Sequence, residues 1–229
     1  MSIQMFCLPY AGGSASVYND WKKTLSGDFD VIPMEYAGHG NRFCDDFFES
    51  IEEAACDIGD KIMKQAKGDY IIYGHSMGCL VALELAYYFK KNNFNMPKAI
   101  IVAATRPPHL MYRDKDLGSL SKDDLMKEIG DLGQMEAEVF EEPELYELIS
   151  EILYADIQMF SKYQRNFDEK VDVPLVALYG VKDDEAPRED MMEWSKYTEN
   201  EFELNEFKGD HFFAFNDNDE FMEFIKKFS

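Results

Sequence analysis

Tyr70-Ile71-Ile72-Tyr73-Gly74-His75-Ser76-Met77-Gly78-Cys79-Leu80 decides how the rest of this chain is read. An apolar run rich in β-formers enters Gly-x-Ser-x-Gly, and a helical pattern leaves it (Leu80, Ala82, Leu83, Leu85, Ala86). Strand, sharp turn and helix in that order are the context of a nucleophile elbow. A serine on such a turn adopts a strained backbone, and side chains two residues to either side would clash. Gly74 and Gly78 remove those clashes. The turn would lift the Ser76 hydroxyl above the sheet at a helix N-terminus, where the Met77 amide can point at a developing oxyanion. A glycine-flanked turn with an ordinary serine is the bland alternative.

The first strand is expected at Ile3 to Leu8. It runs into Pro9-Tyr10-Ala11-Gly12-Gly13-Ser14-Ala15-Ser16, a small-residue loop placed where hydrolases of this type carry the second oxyanion amide, here that of Ala11. A short helix (Val17 to Leu25, Trp21 inward) and a second strand (Phe29 to Tyr36) follow. Tyr36-Ala37-Gly38-His39-Gly40-Asn41-Arg42-Phe43 then forms a tight loop on the ligand-binding edge of an open sheet. Ser50 with Glu53 predicts a capping box opening a helix through about Lys67. Further strands are expected at Lys98 to Thr105, Val173 to Tyr179 and Glu201 to Phe207, and a closing helix at Asn218 to Phe228. From about Leu110 to Lys170 the pattern is helical: Ser121 to Ile129, Gln134 to Phe140, and Pro143 to about Tyr163. Such an insertion suits a lid over a pocket, although a helix packed on the sheet gives the same pattern. Its Met126, Met135, Phe140, Tyr146, Met159 and Phe160 suit an adaptable apolar surface.

A base and an acid must accompany Ser76. His211, in Gly209-Asp210-His211-Phe212-Phe213, is the last of four histidines and precedes the closing helix. His39 precedes the nucleophile, against the chain order Ser, Asp, His. Asp183 stands three residues past Gly180 at a strand end, well placed to orient the histidine; Asp184 is the alternative, since loop phase is not periodic. The reading is an α/β-hydrolase fold, a mostly parallel sheet flanked by helices, forming one domain over residues 1–229 with a helical lid insertion at 110–170. Ser76 attacks, His211 takes its proton, Asp183 holds the imidazole, and the Met77 and Ala11 amides bind the oxyanion. This chemistry needs no metal and no organic cofactor.

The 229 residues fit one such domain, and a hydrophobic fraction of 46% supplies a core. No apolar run reaches membrane-spanning length and no secretory signal is visible. The scattered Cys7, Cys44, Cys56 and Cys79 suit a reducing cytoplasm and have no metal-site spacing; Cys7 and Cys79 lie in apolar runs and are expected to be buried. A net charge of −22 argues against nucleic acid and anionic membranes as partners.

Leu8-Pro9-Tyr10-Ala11-Gly12-Gly13-Ser14, the Tyr36–Arg42 loop, Gly74-His75-Ser76-Met77-Gly78, the Tyr154-Ala155-Asp156 to Tyr163 segment and Gly209-Asp210-His211-Phe212-Phe213 together resemble the type II thioesterases of nonribosomal peptide and polyketide synthesis. The resemblance runs nearly end to end. It implies hydrolysis of aberrant acyl thioesters from the phosphopantetheine arm of acyl- or peptidyl-carrier proteins, in antibiotic-type assembly lines. One departure is visible: the family loop usually reads Pro-Gly-Arg-Gly, and here Ala37-Gly38-His39-Gly40 stands instead. The chain also begins at the oxyanion strand, so the antiparallel N-terminal strands of larger hydrolases are expected to be reduced or missing. A small-molecule carboxylesterase or lipase-like enzyme is the second reading, and a non-catalytic carrier-binding protein the third.

Overall fold

The computed structural model describes residues 2–111, 117–131, 139, 141–216 and 219–229. Six strands, β1 (Ile3–Leu8), β2 (Phe29–Pro33), β3 (Tyr70–His75), β4 (Ile100–Ala103), β5 (Leu175–Gly180) and β6 (Phe202–Phe207), form one sheet in the order β2-β1-β3-β4-β5-β6. Every neighbouring pair is parallel. A parallel sheet is covered on both faces, so its strands read as continuous apolar runs, and β3 and β5 are buried at every position.

Helices α2 (Ile51–Gln65) and α3 (Met77–Asn92) cover one face through Ile58, Ile62, Leu80 and Leu83. Helices α1 (Asn19–Thr24) and α7 (Asp219–Ile225) cover the other through Trp21, Phe221 and Ile225. Ser50 caps α2 by accepting from the Glu53 amide at 3.1 Å, while the Glu53 carboxylate turns back to the Glu49 amide at 2.9 Å. The chain order reverses between β1 and β3, which lie side by side with Leu8 opposite Gly74. The loops leaving those strands therefore meet at the switch point, where open α/β sheets bind ligands.

Several boundaries differ from the sequence reading for local reasons. β2 stops at Pro33, which has no N–H for the ladder. β4 stops at Ala103 because Ala104 adopts a left-handed backbone, φ 60°. The first helix is split into a 3₁₀ turn (Ala15–Tyr18) and α1. The expected helix at Gln134 to Phe140 lies outside the described residues except for Val139. An unpredicted short helix, α6 (Arg188–Met192), and its 3₁₀ extension (Glu193–Tyr197) bury Trp194, whose indole N–H donates to the Thr105 carbonyl at 2.8 Å.

Between β4 and β5 the described residues hold α4 (Lys122–Asp131) and α5 (Pro143–Phe160). Leu125, Met126 and Ile129 of α4 pack with Leu153 and Ile157 of α5 in a small cluster separate from both sheet faces. The end of α5 is rooted differently. Met159 is buried in the main core beside Tyr163, so it is not part of an adaptable outer surface. Met126 is buried as well, whereas Leu145 and Leu148 are exposed.

The chain after α5 is tied down by an ion pair. Buried Glu84 of α3 accepts from the Tyr163 hydroxyl at 2.9 Å and from Arg165 Nε and Nη2 at 2.8 and 2.7 Å. The guanidinium lies 4.0 Å over the Tyr87 ring. Removing one partner strands a buried carboxylate, so Arg165→Met is expected to cost about 2–4 kcal/mol in urea unfolding. Arg165→Met combined with Glu84→Gln should recover most of that loss; an unchanged midpoint in the single variant would contradict the pairing.

Candidate active site

Ser76 sits between β3 and α3 with φ 50° and ψ −119°, a strained backbone for a side-chain-bearing residue. Two hydrogen bonds enforce it: the Ser76 amide donates to the Ala103 carbonyl at 2.8 Å, and the Cys79 amide to the Ser76 carbonyl at 2.9 Å. The flanking glycines are required by close approach. A Cβ on Gly74 would lie 2.4 Å from the Gly78 carbonyl oxygen, and one on Gly78 would lie 2.3 Å from that of Leu8. The elbow is thereby pressed against the end of β1, beside the loop carrying Ala11. Met77 opens α3 immediately after the serine, so its amide is one of the helix-start donors that have no partner within the helix.

The acid and the base arrive on the loops after β5 and β6. The Asp183 amide donates to the Gly180 carbonyl at 3.0 Å, and the Lys182 amide to that of Gly209 at 2.9 Å, which stitches the two loops together. A Cβ on Gly180 would lie 2.4 Å from the Asp210 carbonyl oxygen, so only glycine allows this approach. His211 Nδ1 donates to Asp183 Oδ2 at 3.0 Å, and Asp183 Oδ1 accepts from the Glu185 amide at 3.0 Å. Asp183 is 6% exposed and His211 9%, while Asp184 points to solvent. Burial pulls the His211 pKa down, but the hydrogen bond and charge of Asp183, with Glu185 and Asp210, outweigh it and raise it above the ordinary histidine value.

His75 does not join this pair chemically; it sets the backbone beneath it. Its Nε2–H donates to the His211 carbonyl at 2.8 Å, and its Nδ1 accepts from the Tyr73 hydroxyl at 3.1 Å. Complete burial, helped by the charge of nearby His211, holds its pKa well below the histidine range, so the ring is neutral. The sequence reading gave His75 no role; a histidine inside a fully buried strand was the available signal.

His39 lies outside this group. It is buried against Asp156 of α5, with Nε2 2.9 Å from Oδ2. Arg42 is also engaged, bonding to the Glu35 carbonyl, Asp45 and Asp57.

Ser76, His211, Ala11 and Gly12 open onto one cavity of about 650 Å³. Its far wall is apolar, built from Ile129 of α4 and Ile149, Leu153, Ile157 and Phe160 of α5. Tyr10, packed edge-to-face on Phe212 and Phe215 at 5.1 and 5.5 Å, closes the other side. Glu185 stands at the polar end, 3.9 Å from His211 Nδ1. The arrangement can hold an acyl chain with its carbonyl near the Ser76 hydroxyl and the His211 imidazole.

A parallel sheet wound in this order, with a strained serine at the β3–α3 turn and an acid–histidine pair from the last two strands, defines an α/β hydrolase. Within that class, a sequence profile described as the thioesterase domain matches residues 3–229, and the chain belongs to that family: it is a thioester hydrolase. Linear gramicidin dehydrogenase LgrE of Brevibacillus parabrevis is 26% identical over 98% of this chain and 86% of its own length. Among solved structures, ClbQ from the colibactin NRPS/PKS pathway is 28% identical, with a TM-score of 0.91 over 100% of this chain and 97% of its own. The type II thioesterase BorB from the borrelidin biosynthetic cluster is 27% identical, with a TM-score of 0.88 over 100% and 93%. The resemblance to type II thioesterases of nonribosomal peptide and polyketide synthesis drawn from the motifs therefore holds. Among the described residues no helix is long and apolar enough to cross a membrane.

Proposed function

We propose that this enzyme removes acyl groups from the phosphopantetheine arm of carrier proteins, clearing misacylated nonribosomal peptide or polyketide synthetases, through an acyl-enzyme on Ser76. One observation carries the reading: the strained Ser76 and His211, the latter bonded to Asp183, open onto the same cavity with its apolar far wall. His211 takes the Ser76 proton as Oγ attacks the thioester carbonyl. The Met77 and Ala11 amides receive the oxyanion, each donor worth about 3–4 kcal/mol in comparable sites. As the C–S bond breaks, the thiolate leaves and takes up the proton held by His211. Water then adds to the acyl-enzyme, giving its proton to His211; the C–Oγ bond breaks and Ser76 recovers its hydrogen. A thiolate is a good leaving group, so the step that most needs the site is oxyanion formation.

The helices between β4 and β5 act as a lid in this reading. The small core that α4 and α5 share, apart from the sheet's own, supports it, as does their apolar contribution to the cavity wall. The carrier is proposed to dock against the outer side of α5, where Leu148 is 53% exposed. With −22 charges on the chain, long-range attraction to an acidic carrier cannot drive that encounter. Leu148→Glu is expected to raise KM for an acyl carrier about tenfold while leaving KM for the same acyl group on a small thiol within about twofold. Equal effects on both substrates would remove α5 from recognition. The four cysteines, none of them in a disulfide, fit a reducing cytoplasm.

A carboxylesterase would use the same residues. Comparing acyl carrier, acyl-coenzyme A and simple oxyesters as substrates separates the two, and a preference for oxyesters would overturn the carrier reading. The dehydrogenase in one relative's name finds no support in the site. Where a dinucleotide fold places Gly-x-Gly-x-x-Gly after its first strand, this chain reads Pro9-Tyr10-Ala11-Gly12-Gly13-Ser14.

A further inference from the structure

The loop that carries Ala11 is not held by its own backbone alone. Besides turns in which the Gly13 amide donates to the Tyr10 carbonyl at 2.9 Å and the Val17 amide to that of Ser14 at 3.2 Å, and the Tyr36 hydroxyl on the Pro9 carbonyl at 3.3 Å, two carboxylates hold it. The Ala15 amide donates to Glu35 Oε1 at 2.8 Å, and the Gly12 amide donates to Asp156 Oδ2 at 2.7 Å. Gly12 has φ 77°, and a Cβ there would lie 3.3 Å from Leu153 Cδ1, so α5 meets this residue through both Leu153 and Asp156.

Asp156 is 3% exposed, and the same oxygen that accepts from Gly12 lies 2.9 Å from Nε2 of His39, itself 1% exposed. A carboxylate and an imidazole are costly to bury unless each is paired and hydrogen-bonded. His39 Nδ1 also faces an acceptor, the Ala37 carbonyl at 2.9 Å. With acceptors on both sides, the doubly protonated ring is the form that serves both. Burial pulls its pKa down, but the hydrogen bond and charge of Asp156, the Ala37 carbonyl and the charge of Glu35 together raise it. The groups facing His39 are Asp156 from α5, Glu35 from the segment after β2, and the rings of Tyr36 and Phe47.

We propose that Asp156 and His39 are positioning residues for the reaction: through the Gly12 amide they fix the loop presenting Ala11 to the oxyanion, so that the seating of α5 sets the oxyanion site. The inference rests on the acyl-enzyme reading above. It joins two events otherwise separate, the packing of the helix that walls the acyl cavity and the readiness of the amide that binds charge in the transition state. A helix displaced from the cavity would take Asp156 off Gly12 and leave the loop free to turn.

The proton on His39 gives the coupling a direction in pH. Protonated, the ring donates to Asp156 and holds it; the contribution is complete at low pH and is lost as pH rises through the raised value. Deprotonated, the ring keeps one N–H and cannot serve both acceptors. The wild-type kcat should therefore carry an alkaline fall, in addition to the acid-side fall caused by protonating His211.

The test is steady-state hydrolysis of an acyl thioester of a small thiol, from about pH 5 to pH 9, with melting temperature and fluorophosphonate labelling of Ser76 in parallel. Asp156→Ala is expected to lower kcat about tenfold or more, within the range that losing one oxyanion donor allows, while KM stays within about twofold. Asp156→Asn keeps one oxygen where both the Gly12 amide and an Nε2–H tautomer of neutral His39 can donate, without the negative charge that favours the protonated ring. It should restore kcat and show no alkaline fall. His39→Arg, a permanent cation, should also lack that fall. If Asp156→Ala does not fold, the profiles of Asp156→Asn and His39→Arg decide alone. A folded Asp156→Ala with wild-type kcat overturns the inference, as does a wild-type alkaline limb that is absent or persists unchanged in His39→Arg. Wild-type protein that hydrolyses no thioester would overturn the acyl-enzyme reading and this inference with it. Active wild type matched by Asp156→Ala would overturn this inference alone.

Discussion

Replacing Ser76 with alanine is expected to lower kcat for thioester hydrolysis by about 10⁴- to 10⁶-fold, the range seen when the nucleophile of a serine hydrolase is deleted. What remains would be the contribution of the amides and of binding, since a site of this kind still favours the transition state without its nucleophile. The fold should not suffer. The hydroxyl faces the cavity, and the strain at φ 50° resides in the backbone. Ser76→Gly sharpens the point. Glycine tolerates this backbone, where a side chain costs of order 1–3 kcal/mol, so that variant should melt higher than wild type while being equally inactive. Loss of activity with a gain in stability is the signature of a residue kept strained for chemistry. A fluorophosphonate should label wild type on Ser76 and neither variant. Turnover by Ser76→Ala near the wild-type rate would exclude the acyl-enzyme.

The strands were legible because a parallel sheet buried on both faces leaves unbroken apolar runs, and β1 is found where Ile3 to Leu8 was expected. The elbow was legible because its glycines answer to backbone contacts only 2.3–2.4 Å from where a Cβ would sit. Loop phase was not. Asp183 and Asp184 are equivalent in the sequence; the turn closed by the Asp183 amide on the Gly180 carbonyl turns one inward and the other out. The facing of Met159 was also hidden, because methionine suits a pocket wall and a core equally. The His39–Asp156 contact spans 117 residues, and no local pattern encodes it. A trace of it was nevertheless present. Asp156 lies on the apolar stripe of α5, between Leu153, Ile157 and Phe160, and a carboxylate on such a stripe needs a buried partner.

Asp183→Asn is expected to reduce kcat by about 10⁴, the loss recorded for the equivalent change in a serine protease, whereas Asp184→Asn should stay within a few-fold of wild type. The geometry gives the reason. Both Asp183 oxygens accept: Oδ2 from His211 Nδ1 and Oδ1 from the Glu185 amide. An asparagine has one oxygen to offer. If it faces the Glu185 amide, its NH₂ confronts His211 Nδ1 and drives the imidazole to the tautomer that cannot accept the Ser76 proton. If it turns over, NH₂ meets N–H at Glu185 and the loop is disturbed instead. Glu185 provides a partial substitute, since its carboxylate stands 3.9 Å from His211 Nδ1. Asp183→Asn combined with Glu185→Gln should therefore be slower than Asp183→Asn alone, although Glu185→Gln by itself is mild. The pH profile tests the same assignment independently. Asp183 contributes to raising the His211 pKa, and a general base works only when unprotonated. In Asp183→Asn the residual activity should therefore begin its rise at lower pH than in wild type. A limb that does not move, or an Asp184→Asn variant as slow as Asp183→Asn, would mean that the carboxylate 3.0 Å from His211 is not the one that orients it.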